Sequence, residues 1–543
     1  MSRYPHSRLF IGPVRSVVIT GAHIQVLETS TGDILHSTTN FSAQDKDAVI
    51  KSGPIRCAAI SHDDKYLATA GDDKHLKVWD LGPLALMSTR ELPKKATGIE
   101  FTKGDDVLVA DKFGDVFRYT LRHDPSVTST KSADDASALP ENPSGGVLVL
   151  GHVSVLTGCL LTPDQDFIIT SDRDEHIRVS WYPEGFVIES YCLGHERYVS
   201  AIHIPPSAPT SLISGGGDPD LKIWDWMTGR LERNVNIFGD VEPFMMAKAP
   251  KRRPKSQNGG DDDAEINKRS GRRKKKTKQK QDIQRGDSED PIAGSSADVS
   301  MSNRDLAETE TVFVVHKIDS FVSRGGSHIV FSVVGATALF AFSSVDVTDD
   351  AAICRFDCGR PIINFTVAGY GLIWILLDAD YGGKENPESL GKLVRVVRWH
   401  SGEFLEVDNA PPLLQSLNSA CVIPGLYVLI HRELPVEFFT ATPTELKALD
   451  LYSDLVSLPK HVDGEPEIQE RGQSELLEGS GTSASVERSL PKRTLGRLKH
   501  KLALQRLLQD QAESADSEAP PGTKRPKAEN SDGAPEDADM ELT

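Results

Sequence analysis

Three stretches decide the fold: Tyr66-Leu-Ala-Thr-Ala-Gly-Asp-Asp-Lys-His-Leu-Lys-Val-Trp-Asp80, Phe167-Ile-Ile-Thr-Ser-Asp-Arg-Asp-Glu-His-Ile-Arg-Val-Ser180 and Ser211-Leu-Ile-Ser-Gly-Gly-Gly-Asp-Pro-Asp-Leu-Lys-Ile-Trp-Asp225. Each reads as a short apolar strand, a Gly/Asp turn and a strand that alternates apolar with polar residues. A hydroxyl residue stands four before a turn aspartate in every copy: Thr69 and Asp73, Thr170 and Asp174, Ser214 and Asp218. Trp79 and Trp224 follow that aspartate by six positions; Ser180 holds the place in the middle copy, with Trp181 beside it. Self-similarity of this kind marks a repeat architecture, in which single units cannot bury their own faces and must stack.

Gly-His pairs, Gly151-His152 and Gly194-His195, precede two of the copies. Together these features resemble WD repeats, each of which builds one four-stranded blade of a β-propeller. Weaker versions fill out a ring of about seven blades: residues 16–36, 96–121, 311–342 and 361–400, with 421–431 as a closing strand. The fold class expected is all-β, a seven-bladed WD-repeat propeller carrying a long charged insertion and a C-terminal tail.

Composition sets the domain limits. The chain has 543 residues, 38% hydrophobic and 26% charged, with 79 acidic against 61 basic side chains and a net charge of −18. Between residues 248 and 280, 14 Lys/Arg face 4 Asp/Glu, including KRRPK at 251–255 and RRKKK at 272–276. Apolar residues are nearly absent there, so the segment has little to offset its ordering entropy. The expected plan is blades 1–5 over residues 10–247, a disordered linker over 248–310 that turns from basic to acidic, blades 6–7 and ring closure over 311–460, and a disordered tail over 461–543. Within that tail, LPKRTLGRLKHKLALQRLLQ at 490–509 reads as a basic amphipathic helix, and KRPK stands at 524–527. The body outside the basic linker is acidic and should repel nucleic acid on average. No apolar run is long enough for a membrane helix, the N-terminus lacks a secretory pattern, and six scattered cysteines make no disulfide framework.

Two constellations have residue types that can do chemistry. His195, Ser214 and Asp218 are those of a hydrolase triad. The set recurs with His152, Thr170 and Asp174, and a catalytic set has no reason to appear in two blades. With Trp224, these residues are read as structural hydrogen-bond tetrads. Gly215-Gly-Gly217 lacks the helix start and Lys-Ser/Thr pair of a phosphate cradle. Cys354 and Cys358 lack the further ligands that structural zinc requires. No catalytic, cofactor or metal residue is assigned.

The run from Gly151 to Ile202, and above all DRDEHIRVSWYP at 172–183, resembles the WD-repeat, non-catalytic subunit of eukaryotic tRNA (guanine-N7-)-methyltransferase; ADKFGDVF at 110–117 and GGGDPDLKIWDW at 215–226 agree with it. The resemblance covers residues 10–460, and the charged insertion suggests a fungal member. It implies that the propeller binds a separate catalytic subunit as a heterodimer. That subunit carries S-adenosylmethionine and methylates a guanine N7 in the tRNA variable loop. This chain would hold no cofactor, touch tRNA indirectly or through its basic segments and meet no membrane; its basic runs KRRPK, RRKKK and KRPK point to import into the nucleus, with nucleic-acid contact and a solvated spacer as the other readings. The family's interface uses a basic side chain on the DRDEHIRVS strand, and Arg178 matches it, with Arg173 and Asp174 in the turn before it and Lys222 one blade on. Alternation puts Ile177 and Val179 on one face and Arg178 on the other. Lys77 and Lys222 hold the same place in their blades, so a solvated strand position explains a basic residue there equally well. A scaffold of another nuclear assembly, such as ribosome biogenesis or a ubiquitin-ligase substrate receptor, also suits a propeller with a basic linker; only residues 172–183 separate the two.

Overall fold

The structure is a computed structural model that describes residues 2–122, 144–250, 309–323, 326–344, 352–378, 381, 392–407, 411–419, 440–441 and 443–459. Seven four-stranded antiparallel sheets, each built from consecutive strands, make the seven blades. They span residues 8–37, 55–91, 96–151, 156–192, 199–236, 315–357 and 362–406. From blade 2 round to blade 7, and between blade 7 and blade 1, the first strands of adjacent blades lie side by side around the axis. The basic linker core, the tail with its helix at 490–509, and the proposed closing strand at 421–431 lie outside the described residues.

Alternation accounts for the strands. On the third strand of blade 4, Ile177–Trp181, Ile177 and Val179 are fully buried while Arg178 between them keeps partial exposure. Each buried face meets the next blade, and each of the seven interfaces has its own apolar cluster. Between blades 4 and 5, for example, Ile169, Ile177 and Val179 pack with Val199, Leu212 and Trp224. Burial on this scale, at about 25 cal/mol per Å² of apolar surface, is what a lone blade cannot obtain.

The ring closes without a strand shared between its ends. Blade 1 takes all four strands from residues 8–37 and blade 7 all four from residues 362–406. Their joint is packed by Leu9, Val18 and Leu27 against Trp374, Leu376 and Val396, under the helix Pro412–Ser419. Thr366 Oγ1 donates to the Leu9 carbonyl at 2.6 Å across it. A separate two-residue pairing joins Ser2–Arg3 to Thr440–Ala441.

Two features were not read from sequence. A helix, Ala43–Ser52, connects blades 1 and 2; Ser42 Oγ accepts the Asp45 N–H at its start, and none of its residues is buried. The S-x-x-D at 42–45 is the signal that could have shown it. At the neck of the charged insertion, Ala249–Pro250 pairs with Thr309–Glu310. Ala249 is buried with Tyr198, Val314 and Leu455, so the ordered body reaches past the expected limit at residue 247.

Candidate functional site

In blade 5 the tetrad is complete. His195 Nε2 lies 2.7 Å from Ser214 Oγ, Trp224 Nε1 donates to the same oxygen at 2.8 Å, and His195 Nδ1 meets Asp218 at 2.5 Å. The His195 side chain is 0% exposed and that of Asp218 4%, so no substrate carbonyl can reach the serine. The hydroxyl acts as a joint between strands: it accepts from the indole and pairs with the imidazole, which satisfies three buried polar groups at once. The hydrolase arrangement is therefore excluded by burial.

Blade 4 departs from the expected set. His152 Nε2 does pair with Thr170 Oγ1, at 2.8 Å, but its Nδ1 meets Asp172 at 2.9 Å rather than Asp174. The two turns have equal length and different backbones. Glu175 adopts φ 78°, whereas the matching Pro219 is held at negative φ by its ring. In blade 5 the place of Asp172 is taken by Gly216, where a Cβ would lie 1.8 Å from the Tyr198 carbonyl oxygen. Asp172 also accepts the N–H groups of Asp174 and His176, at 2.8 and 3.2 Å. Burial pushes its carboxyl up, but the hydrogen bonds from His152 and His176 outweigh burial and leave it below the usual carboxylate range. Ser180 is fully buried in the tryptophan's place, and Trp181 turns outward to donate to Glu189 at 2.9 Å.

The expected interface residues fall into two groups. Lys222 is buried, its Nζ 2.8 Å from Asp220 and 3.2 Å from Asn234 Oδ1. Lys77 likewise pairs with Asp73 at 2.7 Å. Neither is the freely solvated position that alternation alone suggests. Arg178 differs from both: Nη1 donates to the Gly151 carbonyl at 3.1 Å, and among the described residues no carboxylate lies within ion-pair distance of it. The Nε atoms of Arg178 and of Arg173 are both buried with no hydrogen-bond partner among the described residues. Burial lowers the Arg178 pKa, opposed by Tyr191 across the strand pair and by Asp172. Asp174 stands in the turn between the two arginines, partly buried. Exposed apolar side chains flank this end of blade 4: Val153, next to His152, at 76% and Leu193, next to Cys192, at 61%.

Elsewhere, Cys354 Sγ donates to the Gly402 carbonyl at 2.9 Å, and Cys354 and Cys358 are both free thiols. Among the described residues no group of three His, Cys, Asp or Glu is placed to hold a metal, and no helix is long and apolar enough to cross a membrane.

The family model described as the tRNA methyltransferase TRM82 WD40 domain matches residues 25–145 and 141–259. The non-catalytic subunit wdr4 of tRNA (guanine-N(7)-)-methyltransferase from Dictyostelium discoideum is 37% identical over 188 residues, 34% of this chain and 40% of that one. The corresponding mouse subunit is 36% identical over 35% of this chain and 42% of its own. In these two the match spans about two fifths of the relative's length. The TRM82 subunit of Lodderomyces elongisporus is 30% identical over 355 residues, 64% of this chain and 75% of that one. With the seven blades and the DRDEHIRVSWYP strand in place, the chain belongs to the family of non-catalytic subunits of tRNA (guanine-N(7)-)-methyltransferase.

Proposed function

We propose that this chain binds the catalytic subunit of a tRNA (guanine-N7-)-methyltransferase as a heterodimer and holds it in its active conformation. N7-methylguanosine then forms in the tRNA variable loop. The observation that carries the reading to particular atoms is the pair Arg173 and Arg178, whose buried Nε atoms have no hydrogen-bond partner among the described residues. Both side chains keep partial exposure, and Arg178 has no carboxylate within ion-pair distance among the described residues, so a carboxylate from a second protein can pair with the guanidinium groups from the solvent side. The exposed Val153 and Leu193 beside them supply apolar contact.

S-adenosylmethionine and the methyl transfer belong, on this reading, to the catalytic subunit. The acidic body disfavours direct contact with tRNA, so any such contact falls to the basic stretches at 251–255, 272–276 and 524–527. The same stretches suit import, and the nucleus is the proposed site of action. The test is reconstitution. Purified alone, the chain should neither bind S-adenosylmethionine by calorimetry nor methylate tRNA; mixed with the catalytic subunit it should co-elute with it and raise N7-methylation. Methylation that is the same with and without this chain would overturn the reading.

A further inference from the structure

The outer edge of blade 4 is apolar where it meets solvent. Phe186, Val187 and Ile188 are three consecutive exposed apolar residues, Phe186 at 78%, leading into the outer strand Ile188–Cys192. The outer strand of blade 3, Val147–Gly151, begins with exposed Val147 and Leu148. The two edges adjoin: a Cβ at Gly185 would lie 2.6 Å from the Val149 carbonyl oxygen and 3.0 Å from the Leu150 Cβ. Blade 5 shows the usual alternative. On its outer strand, Arg230–Asn236, the exposed side chains are Arg230, Glu232, Asn234 and Asn236. Charges and amides of this kind keep an open sheet edge in water, whereas a run of exposed apolar residues marks a surface that is covered.

Strand register ties this surface to the arginine site. Arg178 pairs with Tyr191 and Ser180 with Ile188, and residues directly opposite one another project on the same face of a sheet. Tyr191 and Ile188 therefore continue the face that carries Arg178. That face turns toward blade 3, where Arg178 Nη1 reaches the Gly151 carbonyl. Tyr191 is exposed, and its phenol is close enough to the guanidinium to interact with it. Size points the same way. A stable interface takes roughly 20–30 residues from each protein, and Arg173, Arg178, Val153 and Leu193 are only a beginning. Apolar area continuous with them runs down this edge. Glu184 and Glu189 stand exposed along it. A second copy of this chain would bring the same two glutamates and another charge of −18, whereas a surface bearing lysine or arginine would complement them.

We propose that the surface receiving the catalytic subunit extends from Arg178 over Tyr191 and Ile188 to Phe186 and the adjoining Val147 and Leu148 of blade 3. The complementary surface has a carboxylate at the Arg178 end, an apolar strip in the middle, and lysine or arginine side chains opposite Glu184 and Glu189. This footprint rests on the heterodimer proposed above and adds the edge of the two blades to it.

Full-length variants are passed over the immobilised catalytic subunit in surface plasmon resonance, and thermal melting verifies that each is folded. Phe186→Asp and Ile188→Ser should each weaken binding at least about tenfold, and Phe186→Leu should stay within about threefold of wild type. Leu405→Asp, at an exposed place on the outer strand of blade 7, should bind as wild type does. In the wild-type complex, backbone amides at 147–151 and 186–192 should exchange hydrogen more slowly than in the free chain. If folded Phe186→Asp and Ile188→Ser bind as wild type while Arg178→Gln does not, the extended footprint is overturned and the heterodimer stands. Unchanged exchange at 186–192 overturns it equally, whether or not the variants fold, and so does a matching loss in Leu405→Asp. If Arg178→Gln also binds as wild type, the arginine site falls with its extension; if the wild-type chain does not bind, the heterodimer falls too. A dimer of the free chain that Phe186→Asp dissociates would assign the edge to a second copy and overturn the proposal.

Discussion

His152 and Asp172 meet through Nδ1 at 2.9 Å, with only 5% of either side chain exposed. Asp172 thus ties the segment entering blade 4 to the turn that carries Arg173, and it does so two positions nearer the strand than the spacing in blade 5 implies. Asp172→Ala strands the N–H groups of His152, Asp174 and His176 together and should lower unfolding free energy by about 2–4 kcal/mol. Asp174→Ala should lose less than half as much. Urea denaturation of the two variants is the measurement, and the reverse order would restore Asp174 to the tetrad.

The same group gives a pH signature. Its folded-state pKa lies below the ordinary carboxylate value, so the stability it contributes is present above about pH 4 and is lost as pH falls through the depressed value. Melting curves of wild type and Asp172→Asn should differ most near neutrality and converge in acid. Parallel curves down to acid would contradict the assignment.

Glu100 titrates in the opposite sense. It lies on the first strand of blade 3, Ala96–Phe101, and burial pushes its carboxyl up to about 7. Because the unfolded chain releases that proton near pH 4.3, wild-type stability should decline as pH rises from there to about 7 and then level off. Glu100→Gln should therefore melt higher than wild type at pH 8 and show little difference at pH 4. A destabilised Gln variant at pH 8 would mean that the ionised carboxylate has a favourable partner.

Arg178→Gln should remove the partner-facing charge and leave the blade intact. Gln is preferable to Glu, because Asp172 lies close enough to Arg178 to interact with it electrostatically and a second acid would strain the fold itself. Loss of a buried charged pair at an interface corresponds to about 2–5 kcal/mol, or roughly thirty- to several-thousand-fold in affinity for the catalytic subunit. Lys77→Gln on blade 2 should bind that subunit as wild type does. Surface plasmon resonance with the catalytic subunit immobilised reads both, and equal binding by Arg178→Gln would remove this strand from the interface.

Replacing residues 252–307 with Gly-Ser-Gly should shift the melting temperature by no more than about 2 °C. The short pairing of Ala249–Pro250 with Thr309–Glu310 already brings the two ends of that segment together. Cutting back to residue 248 instead would remove buried Ala249 and should lower the melting temperature measurably.

What could be read from the residues follows from how local each feature is. Strand alternation and the turn aspartates depend on neighbours within a few positions, so the blades around Trp79, Ile177 and Trp224 stood out. The acid partner of His152 depends on turn backbone, set by Glu175 at φ 78° against a proline at 219, and counting positions from Thr170 cannot show it. The ion pairs of Lys77 and Lys222 involve different aspartates, one in the turn at 73 and one at 220, so a shared strand position did not give a shared environment. The helix Ala43–Ser52 buries no side chain and so left no apolar period to find.

Blades 7 and 1 hold the two ends of the strand order, and among the described residues their joint is made by side-chain packing and the helix Pro412–Ser419 rather than by a shared sheet. The molecule is in that sense a split washer. Its two ends are clasped by the pairing of Ser2–Arg3 with Thr440–Ala441. Tension applied between those ends would load the seam first and peel the Leu9 face from the Trp374 face before any blade lost its internal ladder.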